Sequence, residues 1–222
     1  MKQTTGNYIS KSLFMAYQKS PEKYVEKIEG DYVETEEMKA GSLIHKMYER
    51  IDEIRVITED GLFLDRSKIP EAVKENEIIQ ERMMIEKLEE IERKRYEKVK
   101  DEENMLDPVI VEEKMHHHRL KIKGIPDAVY KDFEGFSVVE LKMEEYDDHG
   151  LELAFYKKLI EEAEGIEINR GVVVYSGDEV GSENPEIFTE EELEEYDVEE
   201  RIKRMWKDIE NNEIPEPRKK YK

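Results

Sequence analysis

The sequence predicts a mixed α/β protein in which a mixed central β-sheet is flanked by helices. Between residues 108 and 141, short apolar segments alternate with turn sequences, which is typical of successive strands. A helical pattern over 150–163 is then followed by the apolar segment 171–175, which is typical of a strand buried on both faces. The first hundred residues carry helical periodicity instead.

Helical patterns dominate the first half of the chain. Residues 8–28 predict one or two short helices, with Pro21 in the position where a helix begins. Thr35 is a suitable N-cap for the next helix, whose apolar residues recur at helical spacing. Residues 74–100 predict one long charged helix, and its apolar stripe indicates packing on the core or on a partner.

The predicted strands share apolar residues and turn-forming flanks, and they are Val109–Lys114, Arg119–Lys123, Ala128–Tyr130, Phe136–Leu141 and Gly171–Tyr175. A helix over Gly150–Ala163 joins the last two. An acidic loop, a helix near 189–210 and a basic tail complete the chain.

The chain has 222 residues, with 57 acidic and 36 basic side chains, a net charge of -21 and no cysteine. This length predicts a single domain. The sequence patterns divide it into a mainly helical part (1–107), a sheet core (108–175) and a C-terminal part (176–222). No apolar segment could span a bilayer and residues 1–20 lack a secretory signal, so we expect a soluble cytoplasmic protein. Without cysteine, disulfides, thiolate zinc sites and iron–sulfur clusters are excluded.

The negative charge is concentrated in one segment. Glu183–Glu200 contains ten acidic residues and no basic one, which accounts for -10 of the net charge of -21 and predicts a solvated helix face. By contrast, Pro108–Lys131 contains five basic and three acidic residues, and Pro215–Lys222 contains four basic and one. A local phosphate-binding surface is therefore compatible with the overall charge.

A carboxylate and an ammonium group lie side by side in a predicted buried strand. Side chains alternate along a strand, so Glu140 and Lys142 point to one face while Leu141 points to the other. Asp127 follows a Gly-Ile-Pro turn and begins the neighbouring strand, so we expect its carboxylate beside Glu140. Two such oxygen ligands suit Mg²⁺ or Mn²⁺, which also bind substrate phosphates. Lys142 would then orient the water that attacks the phosphate.

The triplet His116–His118 admits more than one interpretation. In a strand, His116 and His118 share a face and His117 points the other way, so the three cannot converge on one ion. We prefer an exposed strand end. Phosphate contact near the site and adventitious metal binding are the alternatives.

Five sequence elements follow one another in a characteristic order. They are YISKSLFMAYQKSPEKY at 8–24, Gly41-Ser42-Leu43-Ile44-His45, Gly124-Ile125-Pro126-Asp127, Glu140-Leu141-Lys142 and the helix Leu151–Tyr156. In this order and spacing the sequence resembles the RecB-like branch of the PD-(D/E)XK nuclease superfamily over residues 8–175. The resemblance implies a restriction-endonuclease-like core with a helical N-terminal extension.

The resemblance also assigns roles to residues. It implies that His45, Asp127 and Glu140 are metal ligands, that the Leu141 carbonyl adds a further ligand, and that Lys142 is the catalytic lysine. Mg²⁺ or Mn²⁺ is the implied cofactor.

Further positions are implied around that centre. Tyr156 matches the motif tyrosine of the family, and the resemblance places it among the catalytic residues. In the family this tyrosine lies near the site or the DNA backbone. Glu152 stands where the family has glutamine, which puts a contact to DNA there in doubt. Glu112 or Glu113 is a candidate additional acid. The candidate phosphate contacts are the basic tail, Lys114, Arg119, Lys121 and Lys123.

The CRISPR-associated RecB-type exonucleases hold an iron–sulfur cluster with four cysteines, and the chain departs from them here. Ser20 stands where the first cysteine is expected, and the segment 214–221 contains none of the others. The sequence therefore resembles a relative without an iron–sulfur cluster, whose helices hold the chain ends together by packing alone.

We predict a metal-dependent DNA nuclease, acting as an exonuclease on single-stranded or end-containing DNA. The alternative is a catalytically silent protein of the same fold that binds or assembles with another DNA-processing protein, with the acidic segment facing a basic partner. A sequence-specific endonuclease would need recognition elements that the sequence does not display.

Overall fold

Alternating apolar residues in the second half of the chain form a mixed sheet. The computed structural model describes residues 8–30, 34–100, 105–142, 148–175 and 185–217. Its strands are β1 (Ile9–Ser10), β2 (Arg55–Thr58), β3 (Gly61–Leu64), β4 (Ile110–Val111), β5 (Met115–His117), β6 (Ile122–Gly124), β7 (Ala128–Asp132), β8 (Gly135–Lys142), β9 (Ile168–Tyr175) and β10 (Glu186–Thr189).

The helices of the same residues are α1 (Lys11–Lys19), α2 (Pro21–Glu29), α3 (Glu36–Tyr48), α4 (Ile51–Ile54), α5 (Glu71–Lys74), α6 (Glu77–Glu81), α7 (Met84–Val99), α8 (His149–Glu164), α9 (Glu190–Glu195) and α10 (Val198–Glu210). None of the described helices has both the length and the apolar character needed to cross a membrane.

The central sheet has the strand order β10-β9-β8-β7-β4. β8 and β9 run parallel and are joined through α8, whereas the other neighbours are antiparallel. A parallel pair needs such a crossover, because the chain must return to the starting edge. The predicted mixed sheet flanked by helices is confirmed.

Each face of the central sheet is covered by its own set of helices. On one face Val138 and Val173 pack in a core with α8, α1 and α10. On the other face Val139 and Val174 pack in a core with α3, α6 and α7. Because adjacent strand residues enter different cores, Glu140 lies on the α8 face, together with Val138.

Two smaller sheets complete the fold. The order β1-β6-β5 forms a three-stranded sheet in which Ile9 pairs with Ile122 in parallel. β2 and β3 form a hairpin. The sequence analysis missed β1, the hairpin and β10, which lies where an acidic loop was predicted.

The single long helix predicted over 74–100 is wrong in its first third. The chain forms α5, α6 and then α7, and Met83 has a left-handed backbone with φ of 50° at the last break. This turn allows Ile79 and Met84 on either side of it to be fully buried. Burial of two large apolar side chains outweighs the local preference for a continuous helix.

Two predicted strands have the wrong bounds because the chain turns where a continuous strand was expected. The strand predicted over Val109–Lys114 ends at Val111, because Glu112 adopts a left-handed backbone with φ of 46°. The strand predicted over Arg119–Lys123 starts only at Ile122, after a turn. Met115–His117 forms β5 instead, and His118 begins the turn that follows.

A buried polar network ties α7 to the hairpin and to the sheet. Glu92 is buried and lies 3.3 Å from Arg55 Nε, measured from its Oε2. The Tyr48 hydroxyl donates to Glu92 at 3.1 Å and is also hydrogen-bonded to Tyr130 of β7. Arg55 further donates to the Leu106 carbonyl at 2.9 Å. Glu92 and Arg55 therefore form a buried ion pair, although Arg55 Nη2 has no hydrogen-bond partner among the described residues.

The two ends of the described chain meet. The Tyr24 hydroxyl donates to the Pro215 carbonyl at 2.7 Å, and Tyr17 donates to Asp208 of α10. Hydrogen bonds thus supplement the packing that was expected to hold the ends together. The basic residues of the tail, from Arg218 on, lie outside the described residues.

The acidic segment is engaged within the protein at several points. Glu190 binds Lys157 at 2.9 Å, Glu199 binds Arg119 at 2.7 Å, and Glu192 takes part in the N-terminal cap of α9. Glu183 lies outside the described residues. The segment is therefore more than the solvated face that its composition predicts.

We expect Glu92→Ala to lower the free energy of unfolding by about 3 kcal/mol, because it leaves the buried Arg55 with only the exposed Asp107 as a carboxylate partner. Glu90→Ala is the matched control on the same helix, since Glu90 forms an exposed pair with Lys94. Its effect should stay below about 1 kcal/mol. Urea unfolding monitored by circular dichroism measures both, and equal effects would contradict the importance of the buried network.

Candidate active site

Asp127 and Glu140 lie side by side where β7 begins and β8 approaches its end. Ala128 of β7 pairs with Val139 of β8, so the residues before and after this pair are neighbours. The Leu141 amide donates to Asp127 Oδ2 at 2.6 Å, and the Asp127 amide donates to Glu140 Oε1 at 3.3 Å. Both carboxylates are buried. The structure therefore brings the two predicted ligands together.

His45 reaches the same point from α3, which packs on the opposite face of the sheet. Its Nδ1 lies 3.2 Å from Asp127 Oδ1 and 3.1 Å from Glu112 Oε1. One ligand atom from each of these three residues lies within 4.8 Å of the others. One imidazole nitrogen and two carboxylate oxygens are a suitable donor set for a divalent cation, so the residues present fit a metal ion.

Of two neighbouring acids, only Glu112 lies beside the predicted ligands in the described structure. The sequence left Glu112 and Glu113 open as the additional acid, and Glu112 enters the cluster while Glu113 is exposed. β4 ends just before Glu112, which has a left-handed backbone conformation. In this conformation the Glu112 amide donates to the Asp127 carbonyl at 3.1 Å. A non-glycine residue in this conformation is uncommon and is often found at functional sites.

The acids of this cluster favour a positive charge beside them. Burial would lower the pKa of His45, but hydrogen bonds to Asp127 and Glu112 outweigh burial and raise the pKa to about 10. Burial, followed by the charge of Asp127, raises the pKa of Glu140 to about 8. Crowded buried carboxylates attract positive charge, and a divalent ion would supply it.

Lys142 is held by two carboxylates on the α8 side. Its Nζ lies 3.0 Å from Glu140 Oε2 and 2.8 Å from Glu152 Oε1. Glu152 comes from α8 and also binds Lys11, the first residue of α1. The predicted catalytic lysine therefore lies beside the predicted metal ligands in a fixed position.

Glu152 is an internal charge partner. It is buried, whereas a DNA contact was considered for it from the sequence. Burial would raise the pKa of Glu152, but the neighbouring His149 and the charges of Lys11 and Lys142 outweigh burial and hold the pKa below its usual range. A carboxylate in place of the family glutamine thus balances two ammonium groups.

Tyr156 supports the turn that precedes Asp127. It is buried, and its hydroxyl donates to the Ile125 carbonyl at 2.9 Å. A Cβ atom added to Gly124 would lie 2.8 Å from Tyr156 Cε1, so glycine is required for this close approach. The glycine and the tyrosine of two separate sequence elements are therefore in direct contact.

The four candidate phosphate contacts have different surroundings. Arg119 binds Glu199 through both terminal nitrogens, and Lys121 lies over the Trp206 ring with Nζ 5.4 Å from its centroid. Lys123 lies opposite His116 in the sheet, and Lys114 is exposed.

Leu141 is buried, and the role of its carbonyl as a metal ligand stays a prediction.

Lys11 was missed by the sequence analysis. It is 141 residues from Glu152 in the chain, and its only local signal is a place directly after the N-cap Ser10 of α1. Sequence spacing carries no information about such a distant pair.

Comparison with known proteins identifies the family. A family model described as the PD-(D/E)XK nuclease superfamily matches residues 9–220. The chain belongs to the PD-(D/E)XK nuclease superfamily. Nucleases of this superfamily use divalent metal ions, in agreement with the His45, Glu112 and Asp127 cluster. Membership supports a nuclease, that is, a hydrolase that acts on nucleic acids.

A solved structure supports the same fold. The crystal structure of a "Putative exonuclease" from Eubacterium rectale is similar with a TM-score of 0.50 and 15% sequence identity. The similarity covers 96% of this chain and 84% of that chain. At this identity the likeness is evidence for the fold alone. Comparison with curated protein sequences gives no match.

We expect Glu152→Gln to lower the free energy of unfolding by about 3 kcal/mol, because two ammonium groups then surround a neutral amide. Adding Lys11→Met should restore part of this loss, since one cation is removed. Urea unfolding of the wild type, both single variants and the double variant measures the coupling. Glu164→Gln, an exposed change on the same helix, should leave stability unchanged. Strictly additive effects would contradict a shared charge partner.

Proposed function

We propose that this superfamily member is a RecB-like, Mg²⁺- or Mn²⁺-dependent deoxyribonuclease that acts as an exonuclease on single-stranded or end-containing DNA. The observation that carries the proposal is the meeting of His45, Glu112 and Asp127 beside the buried pair of Glu140 and Lys142. The five sequence elements of the RecB-like branch support the finer assignment. The similarly folded Eubacterium rectale protein carries the name "Putative exonuclease".

In this proposal His45, Asp127 and Glu140 hold the metal ion, and Glu112 contributes a further oxygen. A bound divalent ion would polarise a phosphate oxygen and lower the pKa of a coordinated water. The reciprocal hydrogen bonds between the Asp127 and Glu140 segments keep the carboxylates in place before any ligand binds. Preorganisation of this kind avoids a rearrangement during the reaction.

In this proposal Lys142 positions the water that hydrolyses the phosphodiester bond. Its ammonium group is fixed by Glu140 and Glu152, and it would hold the attacking water and offset the charge that develops on the phosphate. Water adds to phosphorus and releases a proton to solvent, the bond from phosphorus to the departing sugar oxygen breaks, and that oxygen takes up a proton from solvent. No covalent enzyme intermediate is needed, and the described site presents no cysteine for one.

Nuclease assays test the proposal. With Mn²⁺, the wild type should degrade single-stranded and linear duplex DNA but leave circular DNA intact, because an exonuclease needs an end. Lys142→Ala and Asp127→Ala should each lower the rate by about 10² to 10³, since each removes a group that stabilises the transition state. Lys94→Ala is the control, because Lys94 lies in an exposed helical pair.

Each other outcome has a defined meaning. Equal activity of all four proteins would indicate a contaminating nuclease and contradict the assignment. Cleavage of circular DNA would replace the exonuclease with an endonuclease. The absence of cleavage on every substrate would favour the alternative of a catalytically silent binding protein.

A further inference from the structure

The outer face of the β1-β6-β5 sheet carries aromatic and basic side chains that the proposed reaction does not use. Met115 and His117 of β5 point inward and are buried. His116 between them points outward and pairs across the strands with Lys123 of β6. The split of the histidine triplet between two faces is therefore confirmed.

Three rings on this face form an ordered group, which we call the ring platform: Tyr8, His116 and His118. The rings of His116 and His118 are nearly parallel, at 12°, with centroids 6.4 Å apart. Tyr8 meets His116 edge-on with centroids 5.0 Å apart, and its hydroxyl is hydrogen-bonded to His118 Nδ1 at 2.7 Å. The rings are partly or fully accessible, so their orientations are fixed while surface remains available for a ligand.

The platform has a basic environment in a protein with a net charge of -21. The charged groups that act on His116 include Lys114 and Lys123. Burial and then these neighbours lower the pKa of His116, so its ring is neutral at neutral pH. A neutral ring flanked by lysines suits a planar ligand that carries negative charge.

The platform is linked to the candidate active site through β6 and β1. Lys123 also pairs with Ser10 of β1, and the next residue, Lys11, binds Glu152 beside Lys142. From Lys123, the chain reaches Asp127 within four residues. A strand bound along this face therefore leads toward the cluster of acids.

We infer that Tyr8, His116 and His118 form a base-stacking subsite for unpaired nucleotides of a DNA substrate, with Lys114 and Lys123 binding its phosphates. The inference rests on the proposed function, because it takes DNA as the substrate. Unpaired bases expose their ring faces, whereas bases in a duplex are covered by their neighbours. The subsite therefore selects single strands or frayed ends.

Binding without cleavage tests this inference. Fluorescence anisotropy of labelled (dT)12 in EDTA measures affinity in the absence of any divalent ion. We expect the variant His116→Ala/His118→Ala to bind (dT)12 about tenfold more weakly, because base stacking is lost. Binding of an abasic 12-mer, which has the same phosphates but no bases, should be unchanged by these substitutions.

Phe133→Ala is the matched control, because Phe133 is an aromatic side chain with 65% exposure in the turn between β7 and β8. It should bind (dT)12 as the wild type does. Tyr8→Phe keeps a ring and should retain affinity, whereas Tyr8→Leu should weaken it. This second pair tests the inference even if the double histidine variant does not fold.

Any one of three results would overturn the inference. The first is a wild type with no measurable affinity for (dT)12, and the second is ring variants that bind (dT)12 as the wild type does. The third is an equal loss of affinity of the ring variants for the abasic strand. Because binding is measured in EDTA, a protein that uses the platform but does not cut DNA contradicts the proposed function alone. A protein that cuts DNA with no effect of the ring variants on binding contradicts the platform alone.

Discussion

The site depends on a reciprocal pair of hydrogen bonds that holds two acids together against their repulsion. The Leu141 amide donates to Asp127, and the Asp127 amide donates to Glu140. These bonds extend the ladder between β7 and β8 by using carboxylates as acceptors. Because both acids are buried, they cannot separate into water, and the rest of the site supplies positive charge around them.

Three basic groups supply that charge from distant parts of the chain. His45 comes from α3, Lys142 from β8 and Lys11 from the start of α1. Lys11 and Lys142 share a single carboxylate, Glu152, so the N-terminal segment is attached to the centre through an ion pair. A glutamine at this position would leave Lys142 with Glu140 alone and would remove the carboxylate that Lys11 binds, so the charge of Glu152 stabilises both ammonium groups.

Much of this arrangement is predictable from local sequence rules. The two-residue alternation places Glu140 and Lys142 on one face, and the turn before Asp127 brings the third group to them. His45 comes from the resemblance to the family and not from any local rule. The pattern of successive strands and the crossover helix likewise predicts the central sheet.

Other features depend on contacts between distant residues and are invisible to periodicity. Glu112 enters the cluster through a left-handed backbone, and Met83 breaks a helical pattern so that its neighbours can be buried. The Glu92 and Arg55 network would be read from the sequence as two surface charges in a chain with 42% charged residues. In each case tertiary packing outweighs local propensity, which differs between residues by less than 1 kcal/mol in most cases.

The central claim is that the residues around Asp127 form a divalent-cation site. Crystals grown with Mn²⁺ and measured at the manganese absorption edge test it most directly, because anomalous scattering locates the ion. The account predicts a peak within ligand distance of His45 and Asp127. A peak confined to His116–His118, or none near Asp127 at saturating Mn²⁺, would contradict it.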